Sequence, residues 1–382
     1  MVSSSRSEIA SFIAMDVLAK ANALEAEGNS ILHLEVGEPG VSAPESVLEA
    51  AHAALRAGRL GYTEALGLKS LRARIARHYG QAYGLDLDPE RVVVTTGSSA
   101  GFILAFLALF DVGASVAIAE PGYPAYRNIL KALSLTPVSI RVGPKTRWSI
   151  SAEAISAAQS QTSLGGVLIA SPANPTGTVI EPSALAEIAS ICDQQSLSLI
   201  SDEIYHGLTF GVEAGCALSN TDRAIIINSF SKYYCMTGWR IGWMVVPTDL
   251  VRVVERLAQN LFISPPTISQ IAAEAAFDAT DEYNGLCDVY AANRRILTGA
   301  LENCGLGKIA PADGAFYLYA DISAHSIDSE QFASQMLTEI GVASTPGVDF
   351  DQTNGHSYLR FSYAADPAVI AQAAERLKRW LA

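Results

Sequence analysis

The chain has 382 residues, 49% hydrophobic and 17% charged, with 26 Lys and Arg against 39 Asp and Glu for a net charge of −13. That length allows two or three domains and a sizeable core, while the acidic balance argues against nucleic acid and anionic membranes, which select basic patches. The charged fraction lies below the roughly 25% of an average soluble protein, so part of the apolar surface is expected to be hidden in a subunit interface.

The first twenty residues have no uninterrupted apolar core, because Asp16 and Lys20 break it, and no secretory signal is read there. From about residue 90, apolar runs at 92–96, 115–119, 166–171, 197–202 and 224–229 alternate with helical stretches. The runs are nearly continuous in apolar residues, as strands buried on both faces are. Between them, 183–195 carries Leu185, Ile188 and Cys192 at helical spacing after Pro182. This alternation predicts an α/β fold with a mostly parallel sheet flanked by helices. The apolar stretch 100–110 stops at Asp111, too short to span a bilayer.

After residue 285 the order changes to a helix at 288–303, a strand at 316–320, a helix at 329–340, a strand at 358–362 and a helix at 367–381. A smaller α+β domain is expected there. The division read is 1–45 as an N-terminal segment packing with the small domain, 46–284 as the large domain and 285–382 as the small one.

The five cysteines are scattered and contain no C-x-x-C pair, which fits reduced thiols and a cytoplasmic location. The six histidines show no metal-ligand spacing, so no metal site is expected. Gly305-Leu306-Gly307 follows a helix, which is the wrong context for a dinucleotide fingerprint. Gly97-Ser98-Ser99-Ala100-Gly101 reads G-x-S-x-G after a strand. One reading is a serine-hydrolase elbow with Ser99 as nucleophile. The other is a helix start whose backbone N–H groups hold a phosphate.

Lysines are scarce, and Lys232 in NSFSKYYCMTGWRIG stands just past a strand end, where open α/β sheets bind ligands. A lysine held in such a pocket loses its proton readily and forms a Schiff base with a carbonyl. Asp202 closes another strand, placed to keep a pyridinium nitrogen protonated, and Tyr205 follows it. Asn174 in SPANPTG ends a third strand, placed to bond a ring hydroxyl or, more plainly, to form a turn. Strand-end Lys, Asp and Asn beside a phosphate cradle describe pyridoxal 5′-phosphate, an electron sink for a carbanion.

Over nearly its whole length the chain resembles the class I/II aminotransferases, the aspartate aminotransferase-like enzymes of fold type I. The segments that carry the resemblance are LEVGEPG (34–40), GYTEALG, TTGSSAG, EPGYPAY, SPANPTGTV, SDEIYHGL, SFSKYYCMTGWRIGW, GAFYLYAD and YLRFSYA. It implies that Lys232 is the Schiff-base lysine and proton shuttle, that Asp202 pairs with the pyridine nitrogen, and that Tyr205 and Asn174 bond the phenolic oxygen. It implies further that Tyr123 stacks on the ring and that Gly97, Ser98, Ser99, Ser229 and Arg240 form the phosphate site. Arg360 would clamp the substrate α-carboxylate with Gly37 beside it, and Tyr62 would reach the neighbouring subunit's cofactor phosphate in a homodimer with shared sites.

The implied reaction moves an amino group from an α-amino acid to a 2-oxo acid by a ping-pong cycle through the pyridoxamine form. A C–S β-lyase on the same fold is the alternative, ahead of the hydrolase. Ser99 stands where dicarboxylate-specific relatives carry a lysine, and residues 259–262 (Gln, Asn, Leu, Phe) add no cation, which argues against aspartate. Phe12, Ile13 and Tyr62 are candidates for an apolar side-chain pocket, although packing of the first helix explains Phe12 and Ile13 equally well.

Overall fold

The computed structural model describes residues 3–382, so the first two residues of the expected 1–45 segment lie outside the described residues. Twelve strands are described: β1 Leu32–His33, β2 Val92–Thr95, β3 Ser115–Glu120, β4 Thr136–Arg141, β5 Leu164–Ala170, β6 Ser198–Asp202, β7 Ile225–Ser229, β8 Gly242–Val245, β9 Tyr317–Asp321, β10 Val342–Ala343, β11 Thr345–Pro346 and β12 Tyr358–Ser362. Seven of them form one sheet in the order β2-β8-β7-β6-β5-β3-β4. Only β8 runs against its neighbours, and the β7-β6-β5-β3-β4 pairings are all parallel.

Strand alternation divides the core into two layers. Val92 and Val94 pack on one face with Val47, Leu71, Ile75 and Trp243. Val93 packs on the other with Phe102, Phe106, Ile200 and Met244. Helices Lys69–Tyr83 and Thr267–Ala276 cover the first face, and Ser98–Leu109 and Val251–Leu261 the second. Sequential parallel strands joined by helices place the C-terminal ends of β3, β5, β6 and β7 at one edge of the sheet, where β2 also ends.

A three-stranded antiparallel sheet, β11-β12-β9, lies among helices Thr280–Asn303, Ser329–Ile340 and Pro367–Leu381. The N-terminal chain joins it, because β1 pairs in parallel with β10, Leu32 opposite Val342. Five strands go beyond the sequence reading: the two-residue β1, β10 and β11, and in the large sheet β4 and β8. In β4 only Ile140 is buried, as befits a sheet edge, so its sequence lacks the continuous apolar run of the inner strands. The buried strand β8 directly follows the glycine-containing turn around Arg240. The helix read as 288–303 begins at Thr280, eight residues earlier. Among the described residues, no helix is long and apolar enough to cross a membrane.

Candidate active site

The loops leaving these strand ends converge on a cavity of about 210 Å³. After β7, Phe230 plugs into the core with its ring 4.9 Å from Trp243, and this anchor turns the chain so that Lys232 enters the cavity. Its Nζ donates to the Gly37 carbonyl at 2.6 Å. Burial, then the positive charge of Arg360, pushes the amine down to about 8, against the opposing pull of Glu38.

Asp202 ends β6 and is 4% exposed. One oxygen accepts from the Ile204 N–H at 3.1 Å, and the other accepts from the Tyr126 hydroxyl. Burial lifts this carboxyl to about 6, and the two hydrogen bonds pull it back. A cationic ring nitrogen brought against it would favour the carboxylate. Asn174 follows β5, and its Oδ1 accepts from Arg360 Nη1 at 3.0 Å. The Tyr205 hydroxyl lies 2.8 Å from that of Tyr317.

An anion cradle closes one end. Gly97, at φ +77°, caps helix Ser98–Leu109, and a methyl group on it would run into the Arg240 guanidinium. Ser98 and Ser99 therefore face the cavity at a helix N-terminus, whose free N–H groups and dipole attract a phosphate, with Arg240 beside them.

At the other end, Arg360 sits in mid-β12, 2% exposed. Its guanidinium lies between the rings of Tyr317 and Phe350, with centroids at 4.4 and 4.7 Å. It donates to Asn174, to the Glu35 carbonyl and to Thr345 Oγ1, while Nε has no partner. A buried cation with an unused donor on a cavity wall is suited to an incoming carboxylate. The methyl of an alanine at Gly37 would overlap the Tyr317 hydroxyl, which is why the backbone can come so close here.

The cavity thus brings together Gly37, Ser98, Ser99, Tyr123, Asn174, Asp202, Tyr205, Lys232, Arg240 and Arg360. Gly97 acts from behind as the cap. Ser229 is set back, with its Oγ 2.9 Å from Ser231 Oγ, and Ser231 lines the wall. Tyr62 lies elsewhere, 85% exposed in an open depression with Gly61 and Thr267. Phe12 lines the cavity with Ala14 and Met15, whereas Ile13 does not. Among the described residues, no histidine lines this wall, so Ser99 lacks the histidine that a hydrolase elbow calls for. None of their His, Cys, Asp and Glu side chains form a group of three or more able to hold a metal.

Tyr126, Tyr317 and Met15 were not singled out in the sequence. Tyr126 had a usable signal, because it lies one helical turn from Tyr123 at the start of helix Pro124–Ala132. The residue set fits pyridoxal 5′-phosphate: an anion cradle, an aromatic ring in Tyr123, a buried carboxyl in Asp202, polar side chains in Asn174 and Tyr205, and an amine of lowered pKa.

A family model for aminotransferase class I and II matches residues 29–377. The chain is 48% identical over 380 residues to the valine–pyruvate aminotransferase of Mycobacterium tuberculosis, covering 98% of this chain and 97% of that one. It superimposes on the crystal structure of an aminotransferase from Mycobacterium tuberculosis with a TM-score of 0.97 at 46% identity, over 100% and 99% of the two chains. Aspartate aminotransferase from Thermus thermophilus with maleate gives 0.93 at 29% identity, over 99% of each chain.

Proposed function

The chain belongs to the class I and II aminotransferase family, and from that premise we propose that it transfers the amino group of an α-amino acid with an apolar side chain to a 2-oxo acid in a ping-pong cycle. The observation that carries the proposal is one cavity holding Lys232, Asp202, Arg360 and the N-terminus of helix Ser98–Leu109.

Pyridoxal 5′-phosphate, the cofactor of this family, supplies carbanion stabilisation when bound. Lys232 would hold the cofactor carbonyl through its amine, and that amine would move the proton at the substrate Cα. Asp202, oriented by Tyr126, holds a proton on the ring nitrogen. Tyr205 and Asn174 would bond the phenolic oxygen, and Tyr123 would pack on the ring. Ser98, Ser99 and Arg240 grip the phosphate, with Gly97 and Ser229 shaping the cradle. Arg360 orients the substrate carboxylate beside Gly37, so that the Cα–H faces the lysine.

Among the described residues, the cations of the cavity are Lys232, Arg240 and Arg360, each given a role above, and Phe12, Met15 and Val36 add apolar wall. That wall favours an apolar side chain over a second carboxylate, and a relative named for valine and pyruvate supports the same class. We also place the protein in the cytoplasm as a homodimer, with residues 1–45, 46–284 and 285–382 as N-terminal segment, large and small domains.

The test is the visible spectrum of the purified protein before and after a panel of amino acids. A cofactor band that valine and other apolar amino acids discharge, and aspartate does not, is expected. A protein that takes up no cofactor overturns the reading, and pyruvate with ammonia from cystathionine marks a C–S lyase instead.

A further inference from the structure

Tyr317 lies at the start of β9 and is 1% exposed. Its ring supports the Arg360 guanidinium at 4.4 Å, and its hydroxyl stands 2.8 Å from that of Tyr205. The hydrogen bond that the structure gives to each hydroxyl is this one. The Tyr317 hydroxyl also occupies the space that a side chain at residue 37 would need. A phenylalanine would support the arginine equally well, so the oxygen has a use of its own.

We propose that Tyr317 is a positioning residue for Tyr205: its hydroxyl donates to Tyr205 Oη, leaving the Tyr205 proton free to point into the cavity at the oxygen of the cofactor ring. This rests on the reading that Tyr205 faces that oxygen. Each phenol has one proton, so the direction of the bond decides what Tyr205 can do. If Tyr205 donated to Tyr317, its proton would be spent inside the wall. If Tyr317 donates, Tyr205 both accepts and donates, and the chain of bonds polarises its O–H. The Arg360 charge acts on both phenols but lies against the Tyr317 ring, so it makes Tyr317 the better donor and favours the second arrangement. Burial raises both phenols, and the net rise is greater for Tyr205, which Tyr317 pushes up, than for Tyr317, which Arg360 and the Tyr205 bond pull back.

The readout is the pH midpoint of the colour change of the cofactor-loaded protein, without substrate. Tyr205 stabilises the anionic, deprotonated form of the chromophore, so weakening its donation raises the midpoint. Tyr317→Phe keeps the ring and is expected to raise it by about 0.5–1 pH unit, a three- to tenfold change in proton affinity. Tyr205→Phe should raise it more, and the double variant no further than Tyr205→Phe alone, because both act through one bond. Tyr317→Met, which also lacks the hydroxyl, should move the midpoint in the same direction. An unchanged midpoint in both Tyr317 variants, or additive shifts in the double variant, would falsify the assignment. A wild-type protein with no pH-dependent band would instead sink the cofactor reading beneath it.

Discussion

Lys232 must be an uncharged amine to attack a carbonyl, and an ordinary lysine is almost fully protonated at neutral pH. Burial and the nearby Arg360 hold it down at about 8. The sign follows directly: below about 8 the amine is mostly charged, and each further unit of pH removes about nine-tenths of the remaining nucleophile. The rate at which apoprotein takes up pyridoxal 5′-phosphate should therefore rise with pH through about 8 and level off above it, as followed by stopped-flow absorbance. Removing the Arg360 charge relieves part of the repulsion, so Arg360→Leu should move the midpoint upward. A profile that levels off only near 10, in wild type and variant alike, would show that the cavity does not tune the lysine.

The elements that carry these residues serve the site in different ways. Helix Ile13–Ala26 brings Phe12 and Met15 to the wall, and its first turn is held by Asp349, just after β11. Asp349 accepts from the Ile13 and Ala14 N–H groups at 3.3 and 3.2 Å, satisfying donors that the start of a helix otherwise leaves free. Asp349→Ala should weaken this docking by about 1 kcal/mol, the usual worth of such a cap. The expected result is a KM for the amino acid raised about fivefold with the cofactor band intact, because Phe12 and Met15 line the wall away from the phosphate cradle. An unchanged KM would mean that the helix needs no cap to form its part of the wall. Nothing in the sequence pointed to Asp349, since a cap supplied from 336 residues away leaves no local pattern. Strand-end residues were legible for the opposite reason. Continuous apolar runs locate β5, β6 and β7, and the polar residues that follow them fall at the edge where such sheets bind ligands. Tyr126 could be read one helical turn from Tyr123, but Tyr317 hides among fourteen tyrosines, and only the tertiary fold separates its phenol on the cavity wall from one in the core.

At the scale of the whole molecule, the low charge fraction has a place to go. Tyr62 (85% exposed), Ile263 (54%) and Val41 (50%) leave much apolar surface bare. Thr267 bonds the Gly61 carbonyl, which ties the Tyr62 loop to the segment after Ile263. Val41 lines an open cavity of about 940 Å³ with Trp239 and Ser269, and Val36 belongs both to this cavity and to the active-site wall. Bare apolar surface of this kind is a natural seat for a second copy in an isologous dimer. If Tyr62 serves the partner's phosphate cradle, two inactive proteins should rescue each other. Lys232→Ala lacks the nucleophile but keeps Tyr62, and Tyr62→Ala lacks the reaching phenol but keeps the lysine. In a mixed dimer one site receives an intact Lys232 and an intact Tyr62, while the other lacks both. Random reassortment makes half of the dimers mixed, so about a quarter of wild-type sites should reappear after the variants are mixed, unfolded and refolded together. The measurement is turnover of the mixture against the sum of the variants refolded separately. Turnover equal to that sum would confine each site to one subunit and leave the bare face around Tyr62 without a catalytic purpose.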